Sequence, residues 1–440
     1  MTPEELARKA DTAGLRLVRF LWCGNDGTIR AKASSRHGLE GRLARGIGVT
    51  RAMQAMNALD QLQPVEGYGP VGEFRLVPDL DTFRPLPYAP NTGVVLTDHV
   101  LPDGTPAGVC QRTFLKRQQE RLRERGLDLR AAFENEFSLA RCDDGDYTPV
   151  DTSLCFSTIA MAKSREYVDA LVAALESQRI PLEQYYAELG HGQQEVSTAH
   201  ASAVQAADEQ ILVRETIRGV AAEQELVASL APKPWADVAG NGAHVHFSLW
   251  EGEQNRFYAE GGLSELAEQF LAGVLEHLPG LCGLTAPSFQ SYARIAPGMW
   301  AGAYACWGHD NREAPVRVPS PFLGVEEAST NAELKAVDAT CNPYLALGGI
   351  IAAGLDGVER GLVLPDPVNV DPATLPDGER PRPLPATQAE ALDALAADDV
   401  LIGALGDELA RPYLAVRRSE WAAFSAEDEE FTLQHHFEKY

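Results

Sequence analysis

The sequence predicts an α+β protein with two domains, a small one at residues 1–105 and a large one at residues 106–440. A chain of 440 residues exceeds what one compact core usually supports. Its first part reads as strands and turns, whereas RTFLKRQQERLRERG, just after Gln111, has the period of an amphipathic helix ending at Gly126. Beyond this helix, strands and helices mix without an internal repeat, which is typical of an α+β enzyme.

Strands and tight turns are predicted for the N-terminal domain. The segment LRLVRFLWCGNDGTIRAKAS favours a β-hairpin around Asn25, Asp26 and Gly27. A Pro-rich segment follows, with a further strand that ends at the turn Asp103-Gly104. These short elements indicate a small sheet rather than a helical domain.

The C-terminal domain is predicted to contain both element types. They are a strand at 129–140 and helices at 164–178, 264–278 and 343–360. Ser164 and Ser264 are the expected N-caps of two of these helices, and Pro343 and Gly361 bracket the last one. A loop rich in Pro and Asp, roughly 364–386, is expected to precede two C-terminal helices.

Composition and charge narrow the class of protein. A net charge of -25 argues against nucleic acid and anionic membranes as partners. Seven scattered cysteines without a CxxC pair favour reduced thiols over disulfides or a zinc ribbon. The opening MTPEELARKADTAG lacks the layout of a signal peptide, and no apolar run is long enough to span a membrane. We therefore expect a cytoplasmic protein.

The stretch AGNGAHVHFSLW predicts a strand with a functional face. Its polar and aromatic positions alternate with apolar ones, which is strand geometry. One face carries His244, His246, Ser248 and Trp250, and the other carries Val245, Phe247 and Leu249. The apolar face would pack on a core, so the histidine face is a candidate site. For His246 alone, a hydrogen-bonded structural histidine is the competing interpretation.

Five carboxylates accompany His244 in motifs of similar character. They are Glu134 and Glu136 in AAFENEFSLA, Glu188 and Glu195 in YYAELGHGQQEVS, and Glu333 in NAELKAVDATCNPY. Neighbouring carboxylates repel unless a cation or a proton neutralises them. A solvated strand face is the alternative for each motif alone. Together they suit two oxygen-rich Mg²⁺ or Mn²⁺ sites better than zinc, since no cysteine accompanies them.

Basic residues stand in nearby loops of the sequence. Arg294 lies in SYARIAPGMW, and Arg312 and Arg317 lie in GHDNREAPVRVP. Isolated arginines usually form surface ion pairs, but several in Gly- and Pro-rich loops near acidic strands suit carboxylate or phosphate clamps. Two metals with several cations are the equipment of phosphoryl transfer.

In this order, the motifs resemble those of glutamine synthetase from about residue 15 to the C-terminus. The strongest are KPWADVAGNGAHVHFSL and ELKAVDATCNPYLALGGIIAAGLDG. The resemblance implies a small N-terminal β-grasp domain and a large catalytic domain with a curved antiparallel sheet flanked by helices. It also implies a homo-dodecamer of two stacked hexameric rings, with active sites between neighbouring subunits.

The resemblance also implies a role for each candidate residue. Glu136, Glu188 and Glu195 would hold one metal, and Glu134, His244 and Glu333 the second. ATP would contact Glu183 beside the ribose, His246 and Ser248 at the phosphates or nucleotide, and Arg317. Arg294 would bind the carboxylate of glutamate, and Arg312, Arg317 and Lys335 would neutralise the transferring phosphate.

Several positions depart from the family pattern. Trp300 stands where a glutamine synthetase has the glutamate that closes the site and takes the ammonium proton. The stretch TRAMQAMN at 50–57 has no acid where the family has an ammonium-binding aspartate. Lys335 and Asn331 replace arginines, and Ala239 replaces an asparagine. An indole offers an apolar wall and a π face to a carbon-bearing amine, so ammonia is a poor acceptor.

These observations predict an ATP-dependent ligase that joins the γ-carboxylate of L-glutamate to an organic amine. The reaction would pass through γ-glutamyl phosphate and release ADP and phosphate. A monoamine or alkanolamine such as ethanolamine is favoured, because the sequence shows no acidic pocket for the distal ammonium of a polyamine. The alternatives are a γ-glutamylpolyamine synthetase, an authentic glutamine synthetase using ammonia, and a non-catalytic structural homologue.

Overall fold

A computed structural model describes residues 1–440 and confirms the α+β class. Five strands form an N-terminal sheet in the order β2-β1-β5-β4-β3. The strands are β1 (Leu17–Cys23), β2 (Ile29–Ser35), β3 (Ile47–Thr50), β4 (Glu73–Pro85) and β5 (Thr92–Val100). The helical elements of this part are α1 (Pro3–Thr12), α2 (Leu39–Arg45) and a 3₁₀ turn (Arg51–Ala55). The pair β1 and β5 is parallel and the other pairs are antiparallel, which is the mixed sheet of a β-grasp domain.

An eleven-stranded sheet organises the rest of the chain, with the main order β16-β17-β18-β12-β6-β9-β8. The strands of this path are β6 (Asp128–Asp143), β8 (Leu182–Ala187), β9 (Gln193–Thr198), β12 (Ala243–Glu251), β16 (Trp307–His309), β17 (Val316–Val318) and β18 (Ala332–Leu334). Its branches are β7 (Asp146–Pro149), β10 (Ala201–Ser202), β11 (Val227–Ser229) and β13 (Gln254–Asn255). A separate small hairpin consists of β14 (Tyr258–Ala259) and β15 (Gly262–Leu263).

Helices cover this large sheet and continue to the C-terminus. The first six are α3 (Gln111–Arg123), α4 (Thr158–Ser177), α5 (Ala203–Glu223), α6 (Glu265–Glu276), α7 (Leu278–Thr285) and α8 (Ser291–Arg294). The others are α9 (Glu326–Ser329), α10 (Pro343–Arg360), α11 (Gln388–Ala396), α12 (Asp399–Leu405), α13 (Asp407–Phe424) and α14 (Glu429–His436), with a 3₁₀ turn at Pro372–Thr374. No helix combines the length and the apolar character that crossing a membrane requires.

One hydrophobic core joins the two sheets. Its 83 buried residues come from the N-terminal sheet, the large sheet and the helices between them. Helix α10 runs through this core and packs closely on α6. A Cβ at Gly273 would lie 2.2 Å from the carbonyl oxygen of Ala353, and one at Gly357 would lie 2.2 Å from that of Gln269. Only glycine permits this backbone approach, so Gly273 and Gly357 allow α6 and α10 to pack at this short distance.

Several of the predicted boundaries are confirmed. Helix α10 begins at Pro343 and ends before Gly361, which has φ +60°. Ser264 caps α6 by accepting a hydrogen bond from the Ala267 N–H. The predicted hairpin at Asn25 to Gly27 joins β1 to β2.

Two predictions about helices are wrong. Helix α4 begins at Thr158, six residues before Ser164, because the Ser157 hydroxyl accepts the Ile159 N–H and serves as the N-cap. Ser164 is instead buried within the helix. The C-terminal segment forms four helices rather than two. It breaks where Asp398 caps α12 and again at Gly406, which has φ +74°.

Candidate active site

The register of the large sheet brings the predicted ligands onto one surface. The directly opposed pairs are His244 with Glu134, His246 with Glu333, and Glu136 with Glu195. Residues opposite each other on neighbouring strands point to the same face of a sheet. Four strands, β18, β12, β6 and β9, therefore contribute charged side chains to a single patch.

His244 and His246 lie among three carboxylates. His244 Nδ1 is 3.3 Å from Glu333 Oε1 and 3.6 Å from Glu134 Oε2, and its Nε2 is 3.7 Å from Glu136 Oε1. His246 Nε2 is 3.2 Å from Glu134 Oε1. One ligand atom each from Glu134, His246 and Glu333 lie within 4.8 Å of one another. Both histidines thus approach the carboxylates. This includes His246, which the resemblance assigned to the phosphates or nucleotide of ATP.

The charges of this group are strongly coupled. Burial raises the pKa of Glu134, but the adjacent His246 and His244 lower it by a larger amount. The net shift of this pKa is therefore downward. Burial also opposes ionisation of Glu333, yet Lys335 and His246 bring its pKa down to about 2. Burial lowers the pKa of His246, but Glu134 outweighs it and raises the value to about 9. The raised pKa of His246 thus reflects the negative charges of Glu134 and Glu333 around it.

Glu136, Glu188 and Glu195 form the other half of the patch. Burial, Glu136 and Glu134 raise the pKa of Glu195 to about 9, and burial with Glu136 raises that of Glu188. The Gly242 N–H donates to Glu136 Oε2 at 2.8 Å, and Gln193 Nε2 donates to the same oxygen at 3.2 Å. Carboxylates that repel one another in fixed positions, with oxygen as the only donor atom, fit divalent Mg²⁺ or Mn²⁺.

The predicted basic residues surround this patch in different ways. Arg317 Nη1 lies 2.6 Å from Glu333 Oε2, and Lys335 Nζ lies 3.1 Å from Glu333 Oε1. Arg294 is buried and donates through Nη2 to the carbonyls of Lys335 and Val337, while its Nε has no hydrogen-bond partner. A buried unpaired donor is costly, and Arg317 shares this feature, since its Nε also has no hydrogen-bond partner.

Arg312 lies exposed at the rim of the patch. Its positive charge opposes the upward shift of the pKa of Glu188, which places the two side chains in the same neighbourhood. The structure therefore brings all four predicted cations to the carboxylate surface or its border.

The predicted nucleotide residues are less closely grouped. His246 Nδ1 is 2.8 Å from Asn331 Oδ1, and the Ser248 hydroxyl accepts a hydrogen bond of 2.9 Å from Trp250 Nε1. Glu183 is exposed on β8, at a register shift between Leu182 and Gln184, and no hydrogen bond joins it to the others. Two strands separate β8 from the histidine strand β12.

Trp300 lies on an irregular loop that follows α8. It has a left-handed backbone with φ +54°, and its side chain is 59% exposed. The backbone N–H of Trp300 donates to Glu313 Oε1 at 3.1 Å, and the backbone N–H of Gly298 donates to Glu313 Oε2 at 3.3 Å. The sequence interpretation missed Glu313, although this acid directly follows Arg312 in the NREAP motif.

An aromatic stack beside Ser248 was also missed. The Arg130 guanidinium lies 4.1 Å from the centre of the Trp250 ring, and His200 stacks on Trp250 with centres 5.6 Å apart. The strand register brings these groups together, since Ser248 lies opposite Arg130, and the sequence alone does not contain that register. Trp250 thereby fixes both the hydroxyl of Ser248 and the flat surface next to it.

Comparison with known proteins gives matches over the whole chain. Residues 108–436 match the catalytic domain of glutamine synthetase, and residues 2–107 match the glutamine synthetase N-terminal domain. A gamma-glutamylpolyamine synthetase of Streptomyces coelicolor is 36% identical over 429 residues, which cover 95% of this chain and 92% of that protein. The glutamine synthetase of Mycobacterium tuberculosis is 32% identical over 438 residues, covering 96% of each chain.

Solved structures show the same likeness. A novel glutamine synthase homolog has a TM-score of 0.87 with 35% identity, covering 97% of this chain and 99% of its own. A GmaS/ADP complex has a TM-score of 0.86 with 28% identity, covering 97% of each chain.

Proposed function

The chain belongs to the glutamine synthetase family and is an ATP-dependent ligase, and we propose that it joins the γ-carboxylate of L-glutamate to an organic amine rather than to ammonia. The observation that carries this proposal is the indole of Trp300, exposed on the loop held by Glu313. Ammonium is small and strongly hydrated, and it has no carbon to bury against an apolar ring. An aliphatic amine gains about 0.8 kcal/mol for each CH₂ that it buries against an apolar surface.

The second acid expected for ammonium is also absent from its usual segment. Residues 50–57 carry no carboxylate, and they are held within their own chain. Gln54 hydrogen-bonds to His99 and accepts from Gln111, and Asn57 donates to Ser419. This segment therefore supplies amides and apolar groups where ammonia use calls for charge.

The candidate site suits transfer through γ-glutamyl phosphate. Arg294 would bind the glutamate carboxylate, as the resemblance implies, and orient the γ-carboxylate toward ATP. That oxygen forms a bond to the γ-phosphorus as the bond to ADP breaks, and Arg312, Arg317 and Lys335 would stabilise the charge. The amine nitrogen then attacks the acyl carbon, phosphate leaves and the nitrogen loses a proton.

Two divalent ions fit the carboxylate patch, and we assign their ligands as the sequence implies. Glu136, Glu188 and Glu195 would hold one, and Glu134, His244 and Glu333 the other. His246 lies as close to Glu134 as His244 does, so either imidazole could complete the second set. Bound Mg²⁺ or Mn²⁺ would supply charge neutralisation for the phosphoryl group.

A monoamine or alkanolamine is the first candidate for the acceptor, and a polyamine is the second. The preference for a monoamine depends on the sequence showing no acidic group that could form a pocket for a distal ammonium. Glu313 is such a group in space, and a relative that is 36% identical is a gamma-glutamylpolyamine synthetase. Both observations support including diamines among the acceptors to be tested.

The test is an acceptor comparison on the natural protein and on Trp300→Glu. We expect kcat/KM for the best of ethanolamine, ethylamine and putrescine to exceed that for ammonium by at least about tenfold, or roughly 1.4 kcal/mol. Trp300→Glu should lose this preference, because it restores a carboxylate and removes the apolar wall. Val363→Glu, which places the same charge at a residue 88% exposed beyond α10, is the matched control. If ammonium is the best acceptor of the natural protein, the proposal fails.

A further inference from the structure

Glu313 is held in a fixed orientation beside Trp300. Its two carboxylate oxygens accept one backbone N–H each, from Trp300 at 3.1 Å and from Gly298 at 3.3 Å. The backbone N–H of Glu313 donates to Asn311 Oδ1 at 3.0 Å. Asn311 Nδ2 in turn donates hydrogen bonds to the carbonyls of Val368 and Val370. Both ends of the residue are thus constrained before any ligand arrives.

The loop that carries Glu313 borders the candidate site. The Pro315 carbonyl accepts a hydrogen bond of 2.8 Å from the N–H of Lys335, whose ammonium contacts Glu333. The Trp300 loop lies against the same segment, since a Cβ at Gly302 would lie 2.5 Å from Pro315 Cα. Glu313 therefore lies where the Trp300 loop meets strands β17 and β18, which carry Arg317 and lead into Lys335.

The carboxylate of Glu313 has bonding capacity left. An ionised carboxylate offers about four lone-pair sites, and the two backbone amides occupy two of them. No lysine or arginine forms an ion pair with it, unlike Glu333, which has two such partners. A half-buried, oriented carboxylate without a cationic partner suits an alkylammonium, which pairs with its remaining lone pairs.

We propose that Glu313 is an acceptor-binding residue whose carboxylate pairs with an ammonium group of the amine substrate. This inference rests on the proposed function, because it names the group that recognises the organic amine. It assigns to the neighbouring loop the negative charge that position 300 lacks. The ammonium in question is either the reacting nitrogen or the distal nitrogen of a diamine, since the chemistry of recognition is the same.

The alternative is that Glu313 only braces the Trp300 loop. Bracing affects every acceptor equally, whereas charge recognition affects only charged acceptors. Hydroxylamine is mainly uncharged at neutral pH and attacks the same acyl phosphate, so it separates the two roles. Formation of γ-glutamyl hydroxamate can be followed beside phosphate release with n-butylamine and with putrescine.

The experiment compares Glu313→Gln with the natural protein and with Glu327→Gln, which changes an exposed acid on the short helix α9. For Glu313→Gln we expect KM to rise at least about tenfold for a charged amine and less than about twofold for hydroxylamine, glutamate and ATP. Glu313→Asp, which keeps the charge, should recover part of the loss. Glu327→Gln should match the natural protein in every arm.

The two amines locate the ammonium. A rise in KM with both n-butylamine and putrescine identifies the reacting nitrogen, and a rise with putrescine alone identifies the distal one. An equal loss with hydroxylamine, or no change with either amine, overturns the inference. If the natural protein forms hydroxamate but uses neither amine, the proposed acceptor class fails, and that result is distinct from any effect of Glu313→Gln.

Discussion

Glu136 and Glu333 are both assigned to metals, but their surroundings differ. Glu333 is fully buried and contacts Arg317, Lys335 and His244, so removing it would leave buried cations unpaired. Breaking a buried ion pair in this way typically costs about 3–5 kcal/mol. Glu136 accepts hydrogen bonds from neutral donors and raises the pKa of its acidic neighbours. Loss of activity is therefore easier to interpret at Glu136 than at Glu333.

Glu136→Ala and His244→Ala should each lower kcat by at least about a hundredfold at millimolar magnesium. Substituting a residue that only supports a metal ligand costs up to about a hundredfold in activity, so removing a ligand itself should cost at least as much. The fold should persist, because neither change opens a large apolar cavity, and the far-UV circular dichroism should match that of the natural protein. Glu260→Ala, at an exposed acid, is the control and should keep full activity. Near-normal turnover in either ligand variant would show that the assignment is wrong.

Spacing along the chain was enough to indicate which side chains share a face. His244 and His246, or Glu134 and Glu136, are two residues apart, and a strand places such residues on one side. Spacing does not reveal contacts between distant loops. Glu313 meets Trp300 only because two turns approach each other, and the orientation of Glu136 depends on an amide from another strand end. The sheet register, which sequence does not contain, decides both His246–Glu333 and Glu136–Glu195.

At the scale of whole elements, strong boundary signals were predictive and weak ones were not. Helix α10 has proline at its first residue and glycine after its last, and each restricts the backbone by itself. Ser157 and Ser164 were equally good N-caps by residue type, and burial of Ser164 against neighbouring elements decided between them. Only two residues separate α11 from α12, and a single glycine separates α12 from α13. Connections this short do not produce the run of polar, Gly and Pro residues by which a loop is recognised in a sequence.

Four helices meet at a single histidine, His277, which links α6 to α7. Its Nδ1 is 2.7 Å from Asp398, the N-cap of α12, and its Nε2 is 3.0 Å from Asp356 of α10. Arg360 contacts the same Asp356. Burial lowers the pKa of His277, but the hydrogen bonds to Asp398 and Asp356 outweigh burial and raise it above 6.5. Protonation of the imidazole thus strengthens the junction.

This raised pKa predicts how stability changes with pH. The folded state holds the proton more tightly than the unfolded state does, so the stabilisation is fully present below the unfolded pKa of about 6.5. It is lost as pH rises through the higher pKa of the folded state. His277→Gln should reduce the free energy of unfolding by about 2 kcal/mol at the acidic end, as expected for hydrogen bonds to charged groups.

Urea unfolding midpoints measured across this pH range provide the test. The difference between the natural protein and His277→Gln should shrink as the pH increases. His37→Gln, at an exposed histidine, is the control and should show no such trend. A difference that stays constant with pH would mean that His277 contributes through packing alone.

On the scale of the whole molecule, a few large apolar side chains are strongly exposed at the surface. Leu323 is 97% exposed, Val71 is 84% exposed and Leu154 is 83% exposed, and each lies in a loop. Apolar side chains that are exposed singly are normal on a protein surface and do not by themselves indicate a partner. The net charge of -25 disfavours random association, so contacts between copies would have to be specific.

The active particle is expected to be a ring assembly, a dodecamer of two hexameric rings, as the resemblance to glutamine synthetase implies. Within one chain, the segment at 50–57 packs against α13 and the N-terminal sheet instead of the carboxylate patch. If the N-terminal domain completes a neighbour's site, activity must depend on assembly.

Light scattering and specific activity, measured on the same samples through dilution and low urea, test this dependence. We expect activity to fall in step with the assembled fraction, while circular dichroism still reports folded chains. The physical reason is that a site between two subunits loses one wall on dissociation, whereas the six presumed metal ligands all belong to one chain. Metal binding by the dissociated chains should therefore persist after turnover has stopped. A monomer that retains full activity would contradict both the ring and the shared site.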